Sequence, residues 1–162
     1  MENLGKLGRD RVTGFEGIIF AKVIHLFGCN HYELKPKAKD GELKKTESFD
    51  VRSIEVIGEG IVLEKTEVEK SGGDNLNEPL GKLGRDKVTG FEGIIVAKGV
   101  HLFGSDSYAL SPKVKDGESK LKYAQWFDVG RIEIIDDGVT AEEVKGEKPG
   151  GENLDISDNL VL

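Results

Sequence analysis

Basic and aromatic side chains occur together in two stretches of the chain, a combination that can bind a phosphate-bearing ligand. In the first stretch Arg9 and Arg11 stand two residues apart, so an extended strand would place both on one face. Guanidinium groups bind phosphate oxygens, and aromatic rings offer a face on which a base can stack. The candidate residues are Arg9, Arg11, Phe15, His25, Tyr32 and Lys37 and, at matching positions further along, Arg85, Lys87, Phe91, His101, Tyr108 and Lys113. They predict a site for a small anionic, nucleotide-like ligand; the alternative is a solvated basic edge that prevents strand pairing.

A second cluster contains side chains that ligate metals. His25, Cys29 and His31 lie within seven residues, and zinc accepts all three. The matching positions of the second stretch hold His101, Ser105 and Ser107, so two of the three ligands are missing there, and we expect no metal site and no cofactor. The change from cysteine to serine, with no carboxylate placed by sequence to orient the histidine, also argues against nucleophilic catalysis. We expect a protein that is not an enzyme.

The matching positions arise because the chain repeats itself. Residues 4–42 align with residues 80–118 without a gap, and about 29 of the 39 pairs are identical. The similarity resumes at Phe49-Asp50-Val51 and Phe127-Asp128-Val129. We interpret the chain as a tandem duplication with four parts: a first repeat at 1–63, an acidic linker at 64–79, a second repeat at 80–140 and an acidic tail at 141–162.

Hydrophobic patterning predicts strands in each repeat. The run 18–27 is rich in β-branched and aromatic residues, and residues 32–35 alternate before Pro36. Residues 49–53 predict a single helical turn capped by Asp50, and residues 54–57 a last strand, whereas residues 43–48 are polar and predict a loose connection. Four or five short strands with such a turn before the last one are the layout of an SH3-like barrel. The expected fold class is therefore all-β: two tandem small SH3-like β-barrels with flexible acidic tails.

Charge and size limit the partners. The chain has 162 residues and a net charge of −7, yet residues 4–57 carry 10 basic against 8 acidic side chains and residues 80–135 carry 9 against 7. The overall acidity excludes general binding of duplex nucleic acid, and no apolar stretch is long enough for a membrane span. A single cysteine indicates a reducing, cytoplasmic setting. Cores of roughly 55 residues are marginal alone, so we expect a homo-oligomer.

The sequence also resembles short proteins encoded by phages and prophages. The shared pattern is G-F-x-G-I-x-x-A-K at 14–22, L-x-G-C-x-x-Y-x-L-x-P-K at 26–37 and W/F-F-D-x-x-R-I-E, to which residues 49–55 correspond, with Trp126-Phe127-Asp128 in the second repeat. The resemblance covers both repeats, about two thirds of the chain, and it supplies no catalytic residue. Together with the cationic and aromatic candidates it implies a phage-encoded sponge, which would sequester a nucleotide immune signal, a cyclic nucleotide or an ADP-ribose derivative, in the infected or lysogenic bacterial host. A phage structural or accessory protein and a protein–protein adaptor built from SH3-like modules are the alternatives.

Overall fold

The computed structural model describes residues 3–40, 42–61, 79–113, 123–140 and 143, and its regular structure is all-β, as the sequence predicts. Each repeat contributes five strands and a short 3₁₀ turn before the last strand. The first repeat forms β1 (Leu7–Asp10), β2 (Glu16–His25), β3 (His31–Lys35), β4 (Glu47–Asp50), a 3₁₀ turn (Val51–Ser53) and β5 (Ile54–Gly58). The second repeat forms β6 (Leu83–Asp86), β7 (Glu92–His101), β8 (Ser107–Ser111), β9 (Gln125–Asp128), a 3₁₀ turn (Val129–Arg131) and β10 (Ile132–Asp136).

Both repeats have the same antiparallel strand order, β5-β1-β2-β3-β4 in the first and β10-β6-β7-β8-β9 in the second. Within its repeat the long strand β2 pairs with β1 through residues 16–18 and with β3 through residues 18–23. A register shift between Ile19 and Ala21 interrupts the ladder with β3. Among the described residues no ladder joins β4 to β5 or β9 to β10. The sheet of each repeat is therefore open, and a closed barrel is not seen.

The two repeats join through their longest strands into one ten-stranded sheet. β2 and β7 run antiparallel, with Ala21 opposite His101, Val23 opposite Gly99 and His25 opposite Ala97. Backbone bonds extend this ladder on both sides, from Leu26 N to the Val96 carbonyl and from Leu102 N to the Phe20 carbonyl, each 2.8 Å long. The equal offsets about Val23 and Gly99 make this pair the centre of a local two-fold relation between the repeats.

A small apolar core fills each repeat. Ile19 and Leu34 are fully buried with Ile54 in the first repeat, and Ile95 and Leu110 are equally buried in the second. The strands approach closely where glycine allows it: a Cβ added to Gly17 would lie 2.8 Å from the backbone of Lys35. Removing such fully buried side chains typically costs about 2–5 kcal/mol, so these few residues hold each sheet together.

Buried aspartates fix the hairpins at the start of each repeat. Asp10 Oδ2 accepts hydrogen bonds from Thr13 N at 2.8 Å and from Thr13 Oγ1 at 2.7 Å. Gly14 then takes a φ of +74°, which glycine adopts without the strain of a side chain. Asp86 does the same with Thr89 and also accepts two bonds from Arg131, from Nε at 2.9 Å and from the terminal nitrogen at 2.7 Å. Both aspartates are almost completely buried, and these bonds compensate for their lost hydration.

The local sequence predictions have mixed outcomes. The 3₁₀ turn forms where expected, and Asp50 caps it by accepting from Arg52 N. One strand was missed: β4 starts at Glu47, inside the stretch predicted to be loose. Since β1 ends at Asp10, Arg11 lies in the turn and does not share a strand face with Arg9.

The acidic linker (64–79) and tail (141–162) lie outside the described residues except for positions 79 and 143. The described ranges contain no helix with the length and hydropathy that a bilayer crossing requires.

Candidate functional site

The arginines that head the predicted site are paired with carboxylates. Arg9 Nε donates to Glu16 Oε1 at 2.7 Å, and Arg85 makes the same 2.7 Å bond to Glu92. Exposed pairs of this kind add little stability, but the carboxylate offsets the charge that a phosphate would otherwise meet. The neighbouring cations Arg11 and Lys87 lie in exposed turns, and Lys37 and Lys113 are exposed beyond the ends of β3 and β8.

The predicted aromatic residues lie at two further places. The Phe15 ring packs against Phe49 with centroids 5.3 Å apart, beside an open hollow of about 390 Å³ that Thr13, Gly14 and Glu47 complete. Phe91 and Phe127 form the same pair at 5.4 Å. Tyr32 packs on the apolar core of its repeat, and Tyr108 is partly buried on β8; burial and then the charge of Asp106 raise the pKa of Tyr108 above its ordinary value. Phe15 and Tyr32 therefore pack against the same core cluster of the first repeat, whereas the predicted cations lie at the hairpin and beyond the strand ends.

His25 and His101 lie instead on an exposed face of the central sheet. Six strands in the order β4-β3-β2-β7-β8-β9 are consecutive neighbours here, and we call outer face the side of this sheet that carries the two histidines. The centre of this face is apolar and buried: Val23, Ala97 and Ala109 form one cluster, with Val96 packed against it. Polar and aromatic side chains surround that cluster, so the outer face joins a rigid centre to a rim that can contact a ligand.

In the second repeat three side chains gather around Gly99. A Cβ built on Gly99 would lie 2.9 Å from Ser107 Oγ, 3.1 Å from His101 Nε2 and 3.4 Å from Trp126 Cζ3. His101 Nε2 and Ser107 Oγ are themselves 3.1 Å apart and share a hydrogen bond. The missing side chain at Gly99 is therefore what lets these groups lie against the backbone, and Trp126 remains 50% exposed above them. We call these four residues the Gly99 cluster.

The first repeat fills the equivalent place differently. Val23 stands where the second repeat has Gly99 and is only 8% exposed. His31 replaces Ser107, and its Nδ1 lies 3.2 Å from His25 Nε2 with the two rings nearly perpendicular at 88°. Burial and then the charge of His31 lower the pKa of His25 below its ordinary value. Ser48 occupies the position of Trp126, so the first repeat has no stacking ring here.

The Gly99 cluster extends across the boundary between the repeats. Phe20 of β2 meets His101 edge-on, with ring centroids 6.4 Å apart. Lys35 Nζ lies 5.1 Å from the centroid of Phe20, within the range of a cation–π contact. A line of contacts therefore runs from an exposed indole through a histidine to an ammonium group.

Several differences between the repeats lie on the outer face. The core pairs Ile19/Ile95 and Leu34/Leu110 are unchanged, and so is the hairpin pair Asp10/Asp86. The differing pairs on the outer face are Phe20/Val96, Val23/Gly99, His31/Ser107, Glu33/Ala109, Lys35/Ser111 and Ser48/Trp126. Because the fold tolerates both sets, packing does not dictate these residues, and the outer face is one part of the molecule where the two repeats differ.

Another polar corner of the first repeat is held by one arginine. Arg52 donates to both carboxylate oxygens of Asp50, at 2.9 and 2.7 Å, and its terminal nitrogen lies 3.0 Å from Cys29 Sγ. These hydrogen bonds hold the pKa of Asp50 well below its ordinary value. The second repeat has Gly130 and Ser105 at the positions of Arg52 and Cys29, so this corner is also specific to one repeat.

Sequence reasoning found His25 and His101 on this face but missed Gly99, Ser107 and Trp126. A usable signal was present: Trp126 is the only tryptophan in the chain, and it falls where the other repeat has serine. Within the described ranges no group of three or more His, Cys, Asp or Glu side chains is arranged to hold a metal ion. Comparison of the chain with protein-family models, curated proteins and solved structures finds no match.

Proposed function

We propose that the chain is a non-enzymatic binding protein and that its ligand is a small nucleotide-like anion, held on the outer face at the Gly99 cluster. The observation that carries this proposal is the half-exposed indole of Trp126, fixed over Gly99 beside His101 and Ser107. A flat ring with one face in solvent is a platform on which a base can stack. A large exposed aromatic side chain next to hydrogen-bonding groups is also typical of binding surfaces.

The neighbouring groups suit the polar part of such a ligand. His101 and Ser107 hydrogen-bond to each other and keep further capacity for a sugar hydroxyl or a phosphate oxygen. Lys35, at the far end of the line of contacts through Phe20, adds a positive charge on the same side. The ligand would therefore lie across both repeats, with its base on the second repeat and its anionic end towards the first.

The 3.1 Å distance between His101 Nε2 and Ser107 Oγ is also the distance between a general base and a nucleophile in an enzyme. Two features favour binding over catalysis. Among the described residues His101 has no carboxylate partner to orient its ring, and Trp126 beside it is 50% exposed, so the cluster is in contact with water. Release of product during the titrations described below would contradict the non-enzymatic proposal.

The biological setting that we propose comes from the sequence resemblance to phage and prophage proteins. The chain would act in the cytoplasm of the infected or lysogenic host as a sponge, which removes a nucleotide immune signal by binding it.

We also propose that each repeat is a variant of the SH3-like fold, because its strand order and the 3₁₀ turn before the last strand follow that layout. The tandem duplication is likewise our interpretation of the repeated sequence and the repeated strand order.

Self-association is part of the proposal. The edge strands β5 and β10 expose Val56 (39%) and Ile134 (42%), and unpaired strand edges with apolar side chains readily pair with another chain. A homo-oligomer would cover them. A mass of 17.7 kDa by light scattering at micromolar concentration would show a monomer and contradict this part.

The test uses the indole of Trp126 as the reporter, since it is the only one in the chain. Cyclic dinucleotides, cyclic oligonucleotides and ADP-ribose derivatives are titrated while tryptophan emission is followed, and affinity is measured by calorimetry. Removing the platform by Trp126→Ser, which installs the residue of the first repeat, should weaken binding by about 5- to 150-fold, since base stacking contributes about 1–3 kcal/mol.

The control is the double variant Arg9→Ala with Arg85→Ala, at the two arginines paired with carboxylates. It should leave affinity within about twofold of the unmodified chain. A large loss in the arginine variant together with unchanged affinity in Trp126→Ser would place the site at the hairpins instead. No response across the panel would favour the structural or adaptor alternative, which presence of the protein in purified virions would then support.

A further inference from the structure

The first repeat has a pair of histidines on the outer face that the proposed nucleotide site does not use. His25 ends β2 and His31 begins β3, and the nitrogens His25 Nε2 and His31 Nδ1 lie 3.2 Å apart. Both side chains are partly exposed. We propose that this pair binds one divalent transition-metal ion of the zinc class, with water in the remaining positions.

The distance between the nitrogens fits two ligands of one ion. Zinc–nitrogen bonds are about 2.0–2.1 Å long, and two nitrogens 3.2 Å apart that share an ion at this distance subtend an angle of about 100°. That angle is near the tetrahedral value which zinc prefers. One ring donates a hydrogen bond to the other, so binding needs a small rotation of each ring and a change of tautomer in the donor ring, whose proton moves to its other nitrogen.

The surroundings hold the pair in place. The backbone N–H of His25 donates to Asn30 Oδ1 at 3.1 Å, which ties the strand end to the turn before His31. Asp50 is the ladder partner of His31, and its charge is shared with Arg52, so the charges facing the pair nearly balance. Within the described residues no third His, Cys, Asp or Glu completes the group, which is why water ligands are part of the proposal.

The comparison of the repeats, which at the level of sequence argued against a metal, has a different meaning in three dimensions. His31 and Ser107 occupy equivalent positions on the outer face, where the two repeats differ. A site present in only one repeat is what such a difference produces. The second repeat keeps the first ligand as His101 but places a serine oxygen 3.1 Å away from it, so it lacks the second nitrogen.

The test titrates Zn²⁺ alone into the full chain at pH 7.5, followed by calorimetry and by the imidazole signals in NMR spectra. The unmodified chain should bind one Zn²⁺ that shifts the signals of His25 and His31. His31→Ser, which copies the second repeat, should weaken this binding at least tenfold while its circular dichroism stays native. Cys29→Ser is the matched control and should leave affinity within about twofold, because Cys29 Sγ contacts Arg52.

A gain-of-site variant keeps the proposal testable if His31→Ser folds poorly. Ser107→His rebuilds the histidine pair in the second repeat and should raise the number of bound ions per chain from one to two. Absence of zinc-dependent shifts at His25 and His31 in the unmodified chain, or equal affinity in His31→Ser, would overturn the proposal. Because zinc is added without any nucleotide, neither result depends on the function proposed above.

Discussion

Val23 and Gly99 occupy equivalent positions in the two repeats. Replacing Val23 with glycine should lower the stability of the fold, whereas replacing Gly99 with valine should leave stability nearly unchanged and disrupt the candidate site. Val23 is 8% exposed and packs against Ala97 and Ala109 at the centre of the sheet. Val23→Gly loses the burial of one valine side chain, about 1.5–3 kcal/mol, and adds the cost of glycine in a strand, about 0.5–1 kcal/mol. A loss of about 3 kcal/mol corresponds to a fall of roughly 6–12 °C in Tm for a chain of this length.

The reverse change should be nearly neutral for folding and harmful for the site. A Cβ at Gly99 would meet Ser107 Oγ at 2.9 Å and His101 Nε2 at 3.1 Å, and both atoms are ends of side chains that can rotate away. Valine also suits a strand better than glycine does. We therefore expect Gly99→Val to change Tm by less than about 3 °C, equivalent to about 1 kcal/mol.

The second part of this prediction concerns Trp126. The displaced indole should become more exposed, with emission shifted to longer wavelength and stronger quenching by iodide. Thermal denaturation followed by circular dichroism and steady-state fluorescence measure both parts on the same samples. An unchanged Tm in Val23→Gly would refute the packing at the centre of the sheet, and an unchanged emission spectrum in Gly99→Val would refute the placement of Trp126 over Gly99.

Three further predictions follow from other parts of the structure. Arg131 holds the pKa of the buried Asp86 below its ordinary value of 3.8, so this ion pair stabilises the fold above that pH, and the stabilisation is lost as the pH falls through the folded-state pKa. The difference in Tm between the unmodified chain and Arg131→Ser should therefore be full at pH 7 and shrink below about pH 4. A difference in Tm that does not depend on pH would rule out the charge as its cause. Gly17→Ala should strongly destabilise the chain, because the new Cβ would lie 2.8 Å from the backbone of Lys35. The control Gly130→Ala, whose Cβ meets nothing within 4 Å, should leave Tm unchanged within about 2 °C. Equal effects of the two substitutions on Tm would contradict the close approach of β2 and β3. Residues 1–63 expressed alone should give the NMR spectrum of an unfolded chain, because the edge of β2 that pairs with β7 then has no partner strand. A dispersed spectrum at low concentration would show that the repeats fold independently.

The strands next to turns could be predicted from the residue preferences of the local sequence. The β-branched run of β2, the alternation of β3 and the capped turn at Asp50 depend on neighbours in sequence, and all three are found. β4 was missed because three of its four residues, Glu47, Ser48 and Asp50, are polar. Only its ladder with β3, where His31 lies opposite Asp50, makes this segment a strand.

The candidate site shows the same division. His101 was among the residues predicted from the sequence, while Gly99, Ser107 and Trp126 were not. Their proximity depends on the register of β7 with β8 and of β8 with β9, including the shift between Ile95 and Ala97. A register change of one residue would move each side chain to the opposite side of the sheet, so no pattern within a single strand reveals this cluster.

By itself the sequence determined that the chain repeats, that most of its elements are strands, and where the 3₁₀ turn of the first repeat lies. These features follow from the conformational preferences of single residues and from contacts between near neighbours. Only the tertiary structure decided that β2 pairs with β7 and which of the differing residues share the outer face with the two histidines. That pairing joins residues more than seventy positions apart, and its free energy comes from backbone bonds and apolar burial that exist only when both repeats are folded.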